Sequence, residues 1–157
     1  MSLAYTLVHS YPREDIRAIL ATELERRVEY GKDKWIALEG PQREFVYSEH
    51  PHILFGGARG GSKSVGMLLA FRRHAELYGS DAHGLLFRRT YPETGELVKL
   101  GQSVFVKEGW EWKVGERKWV SPKGSTLQLK HLDEDSDAMK LQGFSVTFLG
   151  FDELGNW

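Results

Sequence analysis

Residues 52–79 read HILFGGARGGSKSVGMLLAFRRHAELYG, and three textures follow one another within them. The apolar run His52-Ile53-Leu54-Phe55, introduced by Pro51, predicts a buried strand. Glycines 56, 57, 60 and 61 then predict a loop, and SVGMLLAFRRHAELYG, apolar on more than one face and stopped at Gly79, predicts a buried helix. Across the junction, Gly57-Ala58-Arg59-Gly60-Gly61-Ser62-Lys63-Ser64 fits the phosphate-binding pattern G-x-x-x-x-G-K-[ST] except at Ser62. In such a loop consecutive backbone N–H groups converge on phosphate oxygens. Lys63 adds an ammonium, Ser64 offers its hydroxyl to Mg²⁺, and the helix points its positive end at the same charge. A serine held at positive φ costs on the order of 1 kcal/mol, which adjacent Gly61 can relieve by taking the strained conformation itself, so the loop is expected to remain competent. An ordinary glycine-rich turn is the plainer reading of the same residues.

Outward from this stretch, Gly84 to Arg88 (GLLFR) predicts a second strand, parallel to the first through a right-handed crossover and completing a βαβ unit. Arg88 and Arg89, at its ligand-facing end, could sense phosphate or a neighbouring subunit, but strand-end arginines are commonly just solvated, and the two are placed outside the expected site. WEWKV, RKWV and STLQLKHL, between Trp110 and Leu132, alternate apolar with polar residues around turn signals and predict an antiparallel meander. Val146 to Phe151 predicts a buried parallel strand that presents Asp152 and Glu153 at its carboxyl end. Before the glycine loop, PQREFVYS predicts a short helix. Asp15 to Tyr30 carries Ile16, Ile19, Leu20, Leu24 and Val28 on one stripe and predicts an amphipathic helix.

A phosphate loop needs an acid for hydrated metal and, for hydrolysis, a base to orient water. Asp152 suits the first role and Glu153 the second. A solvated strand end is the plain alternative, but a strand ending in DE some ninety residues after a strand ending in the glycine loop is a far more specific signal than either motif alone.

The 157 residues fit one domain or a piece of a larger protein, and 41% hydrophobic with 12% aromatic content excludes global disorder. Lys and Arg number 21 against 22 Asp and Glu, so the net charge of −1 gives no field to attract a polyanion and any DNA contact needs a local patch. The absence of cysteine excludes disulfides, a thiol nucleophile and Cys-ligated zinc. The apolar stretch Val65–Phe71 falls far short of the about 18 residues a membrane span requires, and the amino terminus lacks a secretory signal, so a soluble cytosolic protein is expected.

HILFGGARGGSKS, FRRTYPE, PKGSTLQLKHL, KLQGF and VTFLGFDE, in this order, resemble the ATPase domain of the tailed-bacteriophage terminase large subunit over about residues 35–157. The resemblance implies an α/β P-loop NTPase of the ASCE type, with a mostly parallel sheet flanked by helices and an antiparallel meander. It implies a motor that uses ATP and Mg²⁺ to drive double-stranded DNA through a portal protein into the procapsid. The implied setting is a homo-oligomeric ring working with a terminase small subunit in the cytoplasm of an infected or prophage-bearing bacterium. The phosphate loop is then 57–64, with Gly57, Ala58, Arg59, Gly60, Gly61, Ser62, Lys63 and Ser64 on the nucleotide. Ser64 and Asp152 serve the metal, and Glu153, Lys63 and Arg59 serve catalysis, Arg59 by stabilising charge on the γ-phosphate, with an exposed structural arginine as the alternative. Gln42 resembles the family's adenine-contacting glutamine, a solvent-facing helix residue being the alternative. The organisation expected is an N-terminal helical segment over 1–34 and a partial ATPase domain over 35–157 that ends just after the DE strand. Measured against the resembled family, a fragment without the later strands and the nuclease domain is expected, with its last strand at an exposed sheet edge. Such a piece is expected to bind nucleotide better than it turns it over.

Two other functions stay open on the residues alone. A helicase-like ATPase would share both motifs, and a noncatalytic module would use a loop disabled by Ser62 with Trp110, Trp112 and Trp119 contacting a partner or nucleic acid. Asp133, Asp135 and Asp137 imitate a calcium loop, but its sixth place is Ala138 and its twelfth Phe144, which predicts an exposed acidic loop.

Overall fold

Five of the six residues of β1 (His83–Arg88) are buried, which requires strands on both edges and cover on both faces. The computed structural model supplies them: β4 (Thr126–His131) and β5 (Phe148–Phe151) both run parallel to β1, with Leu86 opposite Leu129 on one side and Gly150 on the other. It describes residues 35–56, 62–131, 143 and 145–154, within the part of the chain that follows Lys34. The helix expected over Asp15–Tyr30 and the acidic loop of Asp133, Asp135 and Asp137 lie outside the described residues.

The meander expected after Trp110 is present. β2 (Glu111–Lys113), β3 (Lys118–Val120) and β4 pair antiparallel in sequence, giving the sheet order β2-β3-β4-β1-β5. With two antiparallel and two parallel pairings the sheet is mixed, not mostly parallel as expected, because the meander feeds directly into the β1 edge instead of standing apart from it. β4 alternates buried Leu127 and Leu129 with half-buried neighbours. Trp110 and Trp119 are buried, Phe105 stacks on Trp110 at 4.6 Å, and Trp112 packs on Trp119 at 5.1 Å. Trp110 and Trp119 belong to the core, and Trp112 is half-buried against it.

Among the described residues, α1 (Pro41–Val46) packs on α2 (Lys63–Tyr78), and α2 and α3 (Tyr91–Phe105) pack on the sheet. α2 buries Leu68, Leu69, Phe71 and Ala75, each large side chain contributing about 1.5–3 kcal/mol. It ends at Gly79, whose N–H reaches the Ala75 carbonyl. Arg72, buried on α2, donates to the Trp35 carbonyl at 2.7 Å and to Glu108 at 3.0 Å, tying the segment before α1 and the turn after α3 to the same helix. Among the described residues no helix is long and apolar enough to cross a membrane.

Two expectations are corrected here. His52–Phe55 is not a strand: Ile53 and Leu54 are 45% and 83% exposed, and the run pairs with no strand, so the expected βαβ unit with β1 does not form. A strand is stable only with a ladder partner. The outer edge of β5 has none among the described residues, and a cavity of about 910 Å³ separates it from residues 48–53. Phe55 stacks on Phe45 instead, at 4.7 Å. The DE strand is parallel to β1 as expected and is an edge strand among the described residues, but it is not buried, with Leu149 and Phe151 55% and 41% exposed.

Gly84 on β1 sets the spacing between sheet and helix, because a Cβ there would lie 2.5 Å from the Phe71 ring and 2.7 Å from Leu127. Gly84→Ala is expected to lose about 1–3 kcal/mol through overpacking, read as a lower urea midpoint at unchanged m.

Candidate functional site

The parallel register of β1 and β5 decides which side chains meet. Phe87 stands opposite Phe151, and Asp152 donates its N–H to the Phe87 carbonyl at 2.9 Å, so Arg88 and Asp152 leave adjacent strand ends side by side. Two residues before Asp152 on the same face is Gly150, where a Cβ would lie 2.4 Å from Leu86 and 2.8 Å from the Met67 sulfur. This bare position lets α2 approach the sheet. Ser64, almost one helical turn before Met67, is thereby brought over Asp152, and its Oγ donates to Asp152 Oδ2 at 2.8 Å across 88 residues of sequence.

The same Oδ2 accepts Arg88 Nε at 2.9 Å and Nη2 at 2.7 Å, and Nη2 lies 3.5 Å from Ser64 Oγ. The third guanidinium nitrogen, Nη1, donates to the exposed Glu96 at 2.9 Å. Arg88 and Asp152 side chains are only 5% and 4% exposed. Burial works against the Arg88 charge, but the hydrogen bonds to Asp152 and Glu96, with the negative field of Asp152 and Glu153, outweigh it and raise the guanidinium pKa. Arg88 is therefore not the solvated strand-end residue expected from the sequence. The signal available was the pairing of FRR with FDE at the ends of two parallel strands.

Glu153 follows with φ 54°, a left-handed conformation for a non-glycine residue, and donates its N–H to Asp152 Oδ1 at 3.1 Å. That bend leaves Asp152 buried and Glu153 exposed. Lys63, the first residue of α2, and Gly56 line one cleft with Asp152 and Glu153, of about 430 Å³ and floored by Met67, Phe148 and Gly150. This volume lies within the range of small-ligand sites, about 300–1,000 Å³. The larger cavity along the outer edge of β5 contains none of Lys63, Ser64, Asp152 or Glu153.

Ser62 sits at φ 52° and ψ 30°, so the departure from the glycine pattern takes the left-handed conformation itself, without using its hydroxyl to cap α2. Its carbonyl accepts both the Gly66 N–H and Gln42 Nε2, each at 2.9 Å. Gln42 is 5% exposed, and its Oε1 accepts the Leu38 N–H at 2.6 Å. The alternative of a solvent-facing glutamine is thus excluded. The amide ties α1 to the start of α2 and retains one N–H and one lone pair for a further partner. Replacing Ser62 by Gly is expected to be tolerated, whereas Ser62→Val should cost about 1–2 kcal/mol in thermal unfolding, because a β-branched residue is poorly suited to positive φ.

Gly57, Ala58, Arg59, Gly60 and Gly61 lie outside the described residues. Of the remaining expected residues, the fold brings Lys63, Ser64, Asp152 and Glu153 to one place, with Gln42 behind Ser62. A hydroxyl and a carboxylate oxygen 2.8 Å apart are hard donors suited to Mg²⁺, which takes one or two protein oxygens when phosphates and water complete its shell. Among the described residues no group of three or more His, Cys, Asp or Glu gathers as a self-sufficient metal cage would require. The chain matches no protein-family model, no curated protein and no solved structure.

Proposed function

We propose that this chain binds Mg-ATP at the Lys63, Ser64, Asp152 and Glu153 cluster and is the ATPase part of a DNA-packaging motor like the tailed-phage terminase large subunit. The observation that carries the reading is the Ser64–Asp152 contact, which joins the two motifs that nucleotide chemistry requires across 88 residues. The sequence resemblance supplies the motor. Double-stranded DNA, the portal protein, a small subunit and a ring of like chains are the partners of this proposal.

In this reading the residues of 57–61 and the N-terminus of α2 bind the phosphates, and Lys63 neutralises the outer ones. Bound Mg²⁺ would supply charge neutralisation between phosphate oxygens, held by Ser64 Oγ and, directly or through water, by Asp152. Glu153, exposed in the cleft, accepts a proton from the attacking water and orients it. Arg59 adds a cation for charge developing on the γ-phosphate, and the remaining donor and acceptor of Gln42 serve the base edge.

Calorimetric titration with Mg-ATP tests the assignment. Lys63→Ala is expected to weaken affinity roughly 10- to 150-fold, the loss of about 1.5–3 kcal/mol for a charge-assisted contact. Unchanged affinity would remove Lys63, and the phosphate loop with it, from the account.

A further inference from the structure

The Ser64–Asp152 pair, suited to a divalent cation, already holds a cation in this fold. The Arg88 guanidinium places Nε and Nη2 on Asp152 Oδ2, the same oxygen that accepts the Ser64 hydroxyl, and Nη2 approaches that hydroxyl too. Two positive groups cannot share so small a buried space, since each would meet the other's charge without water between them. We propose that Arg88 is a latch in the metal's position, so that the site takes a divalent cation only when Arg88 is drawn off Asp152, and that a triphosphate is the anion that draws it.

The geometry supplies the latched position and an anchor for its release. Nη1 is tethered to Glu96, whose side chain is 74% exposed, so the guanidinium can swing on an outer anchor without losing every partner. Two oxygens of a triphosphate held at the Lys63 cleft, which Asp152 also lines, would accept the N–H groups of Nε and Nη2 released from Asp152, in the bidentate manner guanidinium favours. Metal capture is thereby conditional on nucleotide, and free Mg²⁺ alone is held weakly. Arg88 acts here as a positioning residue, through Asp152. The inference rests on the nucleotide-site reading and adds an order of events to it.

Free Mn²⁺, read by electron paramagnetic resonance with no nucleotide present, is the probe. If the latched state holds about 90% or more of the molecules, apparent metal affinity is reduced at least about tenfold, so Arg88→Gln should tighten Mn²⁺ binding by that factor. Arg89→Gln removes an equal charge from the neighbouring position, which is exposed, and should change binding less than about twofold. Equal tightening by both variants would reduce the effect to bulk charge and overturn the latch, as would no tightening by Arg88→Gln. Should Arg88→Gln fail to fold, Arg88→Lys keeps the charge but loses the paired grip. A gain of about threefold is then expected, and wild-type affinity overturns the proposal. A separate titration of the wild type and Lys63→Ala with Mn-ATP reports on the underlying site. Lys63-dependent Mn-ATP binding with no Arg88 effect sinks the latch alone, and absence of Mn-ATP binding sinks the nucleotide reading.

Discussion

Asp152→Ala is expected to lower folding stability by about 3–5 kcal/mol, the cost of leaving one member of a buried ion pair without its partner. Arg88 would lose its 2.9 and 2.7 Å bonds to Asp152, while the Nη1 bond to the exposed Glu96 cannot replace them for a side chain that is 5% exposed. Ser64 would lose its acceptor at the same stroke. With m of about 1–3 kcal/mol per M for a domain of this size, the urea midpoint should fall by about 1 M or more. The double substitution Arg88→Ala with Asp152→Ala should be less destabilised than the sum of the two single changes, because it removes both charges together. Additive losses would mean that the pair contributes nothing as a pair.

Glu153→Gln should have the opposite profile. Gln is nearly isosteric, meets the same left-handed backbone at φ 54°, and occupies an exposed position, so stability should move by no more than about 0.5 kcal/mol. Mg-ATP affinity should stay within about threefold, since the side chain is assigned to water and not to phosphate. Phosphate release, measured at saturating Mg-ATP, should fall by about 10²–10⁴, the range that a positioned general base contributes. Hydrolysis at the wild-type rate would take Glu153 out of the base role and leave the binding site standing.

The sequence made the site more legible than the sheet. Lys63, Ser64, Asp152 and Glu153 belong to two short patterns whose chemistry requires proximity, and the parallel register of β1 and β5 with the bare Gly150 provides it. Arg88 was hidden because a charged residue at a strand end is ordinarily solvated, and only pairing with β5 reveals its neighbour. The apolar run His52–Phe55 was misleading for the converse reason. Apolar composition reports a tendency to be covered, but a strand also needs a ladder, and β5 offers its outer edge across a cavity instead. α3 received no assignment from the sequence, since Gly95 and Gly101 each lower helix propensity by about 1 kcal/mol relative to Ala. Burial of Leu97, Val104 and Phe105 outweighs that deficit. Alternation alone placed the meander correctly, because each of its strands has a sequential neighbour to pair with.

In the proposed function one triphosphate lies between Lys63 and the carboxylates of Asp152 and Glu153. A crystal structure with Mg²⁺ and a nonhydrolysable ATP analogue measures it directly. The outer phosphates are expected within hydrogen-bonding distance of Lys63 Nζ, the metal on Ser64 Oγ and close to Asp152, and Glu153 facing the γ-phosphate. An analogue seated in the larger cavity along the outer edge of β5, away from Lys63, would contradict it.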